Sequence, residues 1–242
     1  MHLVAKWRRV YPTLRTLNLS QLFTKTKIAY LKEIVMRRLF ILSLILFSSI
    51  ASADQSFQLP AFNSVKTDGV FSTLITAGSA QTVMIKGDNE SIKKLSLQVV
   101  DGQLIISGPE NKNKVSFNVD ELNVVITMPS LRLFKGKGVG EVILKNIDGD
   151  RIDIAYEGVG NLEAYGKTKW LRLKGQGVGS IDTKKLIAED ADVDFDGVGN
   201  VDVYCSNRFN AVVSGVGSVT YYGNPRSVNK SADGIGSISP GK

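Results

Sequence analysis

The chain has 242 residues, of which 43% are hydrophobic and 22% are charged, a composition that suits a globular protein of one or two domains. Its formal net charge of +7 would suggest a nucleic-acid or anionic-membrane partner. However, residues 1–53 hold nine of the 30 Lys and Arg residues and a single acid, Glu33, so the remainder is close to neutral. The charge distribution therefore argues against nucleic-acid binding by the main part of the chain.

The first 53 residues predict export. Met36-Arg37-Arg38 is a short positive start, residues 39–50 are a twelve-residue apolar run, and Ala51-Ser52-Ala53 is a small-x-small cleavage pattern. These are the three regions of a secretory signal peptide, and twelve residues are too few to span a membrane as a helix. We expect residues 36–53 to be removed and the mature protein to reside in the periplasm, on the outer surface or outside the cell, with no integral membrane span.

Residues 1–35 form an unusually long preface to such a signal. We interpret them as an artefactual or non-structural extension, with translation starting at Met36 rather than Met1.

The rest of the chain lacks the residues that many active sites and metal sites require. The only histidine is His2, in the extension, and the only cysteine is Cys205. A mature domain without histidine cannot form a Ser-His-Asp or Cys-His arrangement or a Cys/His zinc site, and one cysteine gives no internal disulfide. We predict that Cys205 is a small apolar residue of the core and that the protein is not an enzyme and has no metal or cofactor.

Residues 54–130 are predicted to form strands, the first coils and an N-terminal cap of a single domain. Asp101-Gly102 is a two-residue hairpin signal between two of these strands. The predicted strands are Val70–Thr76, Gln81–Lys86, Leu95–Val100, Gln103–Ser107, Val115–Val119 and Asn123–Met128.

Residues 131–242 contain a repeat with a period near 19. A Gly-Val-Gly or Gly-Ile-Gly triplet occurs six times, with its first glycines 20, 19, 20, 18 and 19 residues apart. We number the repeats 1 to 6 and count positions from each first glycine. The triplet glycines are Gly138 and Gly140, Gly158 and Gly160, Gly177 and Gly179, Gly197 and Gly199, Gly215 and Gly217, and Gly234 and Gly236.

Apolar residues recur at positions −6, −4, +1 and +4 with polar residues between them, which is the period of a strand. A 19-residue coil cannot bury its apolar face alone, whereas stacked coils share a continuous core. We therefore predict an all-β fold, a parallel β-solenoid with glycine corners, in which the valine at +1 points inward. The last repeat loses its apolar residues, as a capping coil would.

The order of these segments resembles the secreted bacterial family called the putative auto-transporter adhesin, head GIN domain. The matching segments are Phe62-Asn63-Ser64-Val65, the hairpin Asp101–Ser107, the strand end Val125–Pro129, and the six triplets. The resemblance covers residues 57–240. It implies an all-β, solenoid-like fold, export and an adhesive or surface role, and it supplies no catalytic residues.

Two apparent ligand motifs are better explained by architecture. The glycine triplets lack the G-x-G-x-x-G spacing and the Walker lysine of phosphate-binding loops. Asp192, Asp194 and Asp196 resemble a calcium loop, but the twelfth position, which needs a glutamate, is Val203. On the predicted strand they lie on the outward face, where Asp153–Arg172–Asp192 and Lys174–Asp194 are expected to form charge ladders between repeats.

Position +7 carries a candidate binding surface. A stacked arrangement would place one outward column of cations and aromatic rings there, suited to a glycan or an acidic polymer. The alternative is a packing ladder that only stabilises the sheet. The column is Lys145, Tyr165, Lys184, Tyr204 and Tyr222.

We therefore predict an exported, non-catalytic envelope protein that is adhesin-like or binds a glycan or another envelope component. A purely structural role, with self-association of coils, is one alternative. A polysaccharide-active enzyme is the other, because outward acids occur at Asp153, Glu157, Glu163, Asp182 and Asp202, although no clustered cleft is evident around them.

Overall fold

A computed structural model describes residues 53–108 and 122–242. The predicted N-terminal extension, the signal peptide except for Ala53, and the predicted strand at residues 115–119 lie outside the described residues. Within the two described ranges, no helix is long and apolar enough to cross a membrane.

The described chain is built from strands, as predicted. The one short helix in these ranges, α1 (Asn89–Lys93), begins at Asp88, whose carboxylate accepts hydrogen bonds from the backbone N–H groups of Glu90 and Ser91. The strands are β1 (Ala53–Phe57), β2 (Ser64–Val70), β3 (Ser72–Ala77), β4 (Thr82–Gly87), β5 (Ser96–Val100), β6 (Gln103–Ser107), β7 (Asn123–Met128), β8 (Leu133–Tyr222) and β9 (Ser227–Pro240).

The sheet is mixed, so the prediction of a purely parallel solenoid is not confirmed. β2 and β3 each pair in parallel with β8, as does β9, while β6 and β7 pair in parallel with β2 and β3. The pairs β1–β4, β4–β7 and β5–β6 are antiparallel. The β5–β6 pair is the predicted hairpin, and both of its turn residues, Asp101 and Gly102, have positive φ.

The repeats stack in register on their triplet glycines. β2 contributes the first level, because Gly69 pairs with Gly138, and β9 contributes the last, because Gly215 pairs with Gly234. Between them, a Cβ atom added to Gly158 would lie 1.9 Å from the carbonyl oxygen of Gly138, and the same close approach recurs through repeats 3, 4 and 5. Only glycine allows neighbouring backbones to approach so closely.

The core is a column of apolar side chains inside these stacked levels. The predicted inward positions −4 and +4 are buried in repeats 1 to 5. The buried residues are Phe134, Ile154, Leu173, Val193 and Ala211 at −4, and Val142, Leu162, Ile181, Val201 and Val219 at +4.

The last level closes the end of this column with polar residues. β9 is exposed along almost its whole length, and only Ile238 is buried. Lys230 replaces the apolar residue at −4, and its Nζ donates a hydrogen bond to the carbonyl oxygen of Ile238 at 3.0 Å. The loss of apolar residues in repeat 6 therefore has the predicted effect of presenting a polar surface at the end of the stack.

The prediction for position +1 was wrong, because these side chains point outward. The triplet is a corner at which the two glycine backbones turn in against the neighbouring level, and the residue between them is turned out. Each side chain is exposed by 39–78%, and we call the set the valine ridge: Val139, Val159, Val178, Val198, Val216 and Ile235.

Candidate binding surface

Two outward faces flank the valine ridge. Along each strand, buried and accessible residues alternate, so the odd positions on either side of the corner point away from the core. We call positions −5, −3 and −1 face A, and positions +3, +5 and +7 face B. The predicted binding column lies on face B, and the three aspartates of repeat 4 lie on face A.

All five predicted binding residues are accessible on face B. Lys145 is exposed, and Tyr165, Lys184, Tyr204 and Tyr222 are partly exposed. Repeats 3 and 4 are linked beside this face, because Thr183 Oγ1 donates to the carbonyl oxygen of Asp202 at 3.0 Å. The structure therefore places the five residues on one face, and their role in binding stays a prediction.

The hydrogen bond of the Tyr165 hydroxyl and the ion pair of Lys184 each go to an acid in the same repeat. The Tyr165 hydroxyl donates to Glu163, and this bond, together with limited burial and nearby carboxylates, raises the pKa of Tyr165. Lys184 Nζ lies 3.4 Å from Asp182, and the charge of that carboxylate raises the pKa of Lys184. A carboxylate two residues before each of these groups holds it in place.

Aromatic packing within the column is against backbone. A Cβ atom on Gly223 would lie 2.8 Å from Tyr204 Cζ, so the ring covers the next level at a glycine. The cation over Tyr165 is Lys185, with Nζ 5.2 Å from the ring centroid, and not a member of the predicted column. In the described ranges no ring contact or ion pair joins one column residue to the next.

Face B also carries a column of carboxylates at position +5. Glu163, Asp182 and Asp202 occupy this position in repeats 2, 3 and 4, next to the Lys/Tyr column. Sequence reasoning noted these acids singly as possible catalytic groups, but the signal that unites them is their shared repeat position. Among the described residues, no group of three or more acidic, Cys or His side chains is arranged to hold a metal ion.

Face A is held together by contacts between repeats. The predicted pair Lys174–Asp194 is present with Nζ and Oδ2 3.8 Å apart, and Lys137 lies 2.9 Å from Glu157 in the next repeat. The amide of Asn210 donates to Asp192 at 2.7 Å. These contacts support the interpretation of the aspartates as groups that set the register.

The predicted Asp153–Arg172–Asp192 ladder is wrong. Asp153 is bound by Arg151, whose Nη2 lies 2.8 Å from Oδ1. Asp192 instead accepts a 2.8 Å hydrogen bond from Trp170 Nε1, and the Arg151 guanidinium lies 4.3 Å from the centroid of that indole. Sequence reasoning missed Trp170 because it lies at position −7, outside the strand positions used for alignment.

Cys205 is a core residue, as predicted. It is fully buried, and its Sγ lies 3.0 Å from the carbonyl oxygens of Glu189 and Arg208. Burial raises the pKa of the thiol, which keeps it in its less reactive protonated form.

The solved structures similar to this chain include one that shares its fold. A putative adhesin from Bacteroides fragilis NCTC 9343 is similar over 79% of this chain and 98% of its own, with 24% identity and a TM-score of 0.61. A putative adhesin from Parabacteroides merdae ATCC 43184 covers 78% of this chain and 96% of its own, with 18% identity and a TM-score of 0.48. A search of curated proteins found no match to the chain.

The family comparison agrees with the resemblance noted in the sequence. The family described as "Putative auto-transporter adhesin, head GIN domain" matches residues 61–225, a range that contains five of the six triplets, faces A and B in those repeats, and most of the N-terminal strands. The chain therefore belongs to the putative auto-transporter adhesin, head GIN domain family.

Proposed function

We propose that the protein is an exported, non-catalytic module of the cell envelope that binds a glycan through face B. The observation that carries the proposal is the in-register placement of tyrosine rings beside a column of carboxylates on one accessible face. Aromatic rings stack on the apolar faces of sugars, while carboxylates accept hydrogen bonds from their hydroxyl groups. The family description as an adhesin supports a role in binding.

The charges of face B favour a neutral glycan over an acidic one. The carboxylates of Glu163, Asp182 and Asp202 lie beside the rings, and the nearby cation Lys184 is already paired with Asp182. An acidic polymer would be repelled by the carboxylates of repeats 2, 3 and 4, and this repulsion costs affinity. A neutral chain of hydroxyl groups would not.

The supporting architecture in this proposal is a solenoid-like stack of the repeats, capped at the N-terminal end by the antiparallel pairs and at the C-terminal end by β9. Stacking repeats the same subsite along a rigid face, so that several weak contacts act together on one extended ligand. The periplasm and the outer surface are both compatible with such a role, and fractionation of cells expressing the full chain distinguishes them.

A glycan array with protein purified after expression of the full chain tests the proposal. We expect binding to neutral glycans, and the double variant Tyr165→Ala/Tyr204→Ala is expected to weaken it about tenfold or more, since two stacking contacts are lost. Trp170→Ala, which removes an aromatic ring from the other side of the ridge, is the matched control and should leave binding unchanged. Equal binding by the double variant, shown to be folded by circular dichroism, would exclude face B as the site.

A further inference from the structure

The valine ridge is the most unusual part of the accessible surface. Six β-branched side chains occupy one outward column, and none of them is less than 39% exposed. Adjacent levels of a sheet are about 4.8 Å apart, so the ridge is continuous. A contiguous exposed apolar strip of this kind marks an interaction surface in soluble proteins.

The charges beside the ridge, on face A, alternate in sign from one repeat to the next. Lys66 and Lys135 lie directly opposite each other in the β2–β8 pairing, and Lys137 is adjacent. Like charges placed directly opposite destabilise a sheet unless something neutralises them. Three levels further along, repeat 4 presents Asp192, Asp194 and Asp196 on the same face. Between these levels, repeat 2 carries Asp153 and Glu157 and repeat 3 carries Arg172 and Lys174 on the same face, so repeats 1 and 3 are basic and repeats 2 and 4 are acidic.

We propose that face A and the valine ridge form a symmetric interface with a second copy of this chain, the two copies running antiparallel along the stack. A two-fold axis between repeats 2 and 3 brings repeat 1 opposite repeat 4 of the partner copy, and repeat 2 opposite repeat 3. Each column then faces the same column of the other copy, which is the self-complementary contact of a two-fold dimer.

This register pairs opposite charges and aligns the apolar ridge. In the following pairs the second residue is that of the other copy. Lys135 faces Asp194, Lys137 faces Asp196, and Arg172, which makes no ion pair within the described part of its own chain, faces Asp153. On the ridge, Val139 faces Val198 and Val159 faces Val178. The two-fold symmetry doubles every one of these contacts.

The shape of face A agrees with the same register. An open depression of about 360 Å³ surrounds Ala155, where repeat 2 has a small residue between Lys135 and Lys174 of the neighbouring levels. In the proposed dimer the residue opposite Ala155 is Lys174 of the other copy. A long side chain would thus enter the space that the short one leaves.

The neighbouring registers are unfavourable. A shift that brings repeat 2 opposite repeat 4 places Glu157 against Asp196 and Asp153 against Asp192. A shift in the other direction, with repeat 1 opposite repeat 3, places Lys135 against Lys174 and Glu157 against itself. Like charges juxtaposed across an interface are strongly disfavoured, so the charge pattern disfavours a shift by one repeat in either direction.

The first test measures mass against protein concentration by analytical ultracentrifugation after expression of the full chain. We expect a monomer–dimer equilibrium. Val159→Asp/Val178→Asp should abolish the dimer, because it places four carboxylates at the centre of the apolar contact. Lys145→Glu on face B, the control, should leave the dissociation constant unchanged. A monomer at all concentrations, or a dimer insensitive to the ridge variant, would overturn the proposal.

A charge swap tests the register. Lys135→Glu and Asp194→Lys should each raise the dissociation constant about tenfold, since each creates two like-charge contacts. The double variant should restore dimerisation, because each contact then has opposite charges again. Failure of the double variant to recover would contradict the register.

A cross-link remains informative even for a weak dimer. Positions 135 and 194 of one chain lie three levels apart, about 14 Å, which is too far for an internal disulfide. Lys135→Cys/Asp194→Cys should therefore form a disulfide-linked dimer on oxidation, while Lys135→Cys alone should not. Absence of the cross-link from the double variant would contradict the proposal. Failure of glycan binding through face B would leave the dimer proposal unaffected, because face A and face B are tested with separate variants.

Discussion

Faces A and B are built from similar residues but use them differently. On face A the contacts run between repeats, as in Lys174–Asp194 and Asn210–Asp192. On face B the hydrogen bond Tyr165–Glu163 and the ion pair Lys184–Asp182 stay within a repeat, while Lys185 over the Tyr165 ring and the Ser218–Asn200 hydrogen bond join neighbouring repeats. Contacts between repeats fix how the levels stack. Contacts within a repeat orient the side chains of the tyrosine and lysine column.

The triplet glycines form the corner that joins the two faces. A substitution there should lower the free energy of unfolding more than a change on either face. Gly177→Ala places a Cβ 2.1 Å from the carbonyl oxygen of Gly158, at a φ of +114°. The levels must separate, so we expect the free energy of unfolding to fall by about 4 kcal/mol or more. Urea denaturation measures this loss.

Gly149→Ala is the matched control for that corner. A Cβ at position 149 meets no atom within 4 Å, so this variant should be as stable as the wild type or slightly more stable. If both substitutions had the same effect, the close stacking of the triplet glycines would not be what requires glycine.

A pair of aspartate variants tests the difference between the faces directly. Asp192→Ala removes the acceptor of both Trp170 Nε1 and the Asn210 amide, and we expect a loss of about 1–3 kcal/mol. Asp182→Ala removes a hydrogen bond and an ion pair with Lys184 of the same repeat and should leave the free energy of unfolding close to that of the wild type. Thermal or urea unfolding of both variants would reveal whether face A alone carries the stabilising network.

The smallest expected effect is electrostatic and confined to face B. The hydrogen bond to Glu163 raises the pKa of Tyr165 in the folded protein above the value in the unfolded chain. The bond therefore stabilises the fold fully at pH values below the unfolded pKa. This stabilisation is lost as the pH rises through the folded pKa. Glu163→Gln should move the ionisation of one tyrosine to lower pH, as seen in a spectrophotometric titration. An unchanged titration curve would show that the bond does not form in solution.

The sequence predicts the repeat, its register and most of its core, because these depend on spacing. Six triplets at nearly constant intervals place Lys174 beside Asp194 without any further information. The alternation of strands likewise places the residues at −4 and +4 inside. The Asp101-Gly102 hairpin is equally local, since the two-residue turn needs both residues at positive φ.

The orientation of the valine ridge could not be obtained in this way. A β-branched residue between two glycines has the hydropathy of a core residue, and only the backbone approach at the corner turns it outward. The antiparallel pairs β1–β4 and β4–β7 depend on contacts distant in sequence. Trp170 is at position −7 of repeat 3, and Asp192 is at position −5 of repeat 4. An alignment that compares equal positions of successive repeats does not pair these two residues.

Because Cys205 is buried, the rate at which its thiol reacts reports how often the stack of repeats opens. In the folded chain its sulfur is fully buried within the fourth repeat, and burial raises its pKa. A thiol reagent can therefore modify it only when the levels around it part, and the labelling rate reports how often that happens. A chemical measurement at one atom would therefore report on the packing of the levels around it, in the native sequence and without an introduced cysteine.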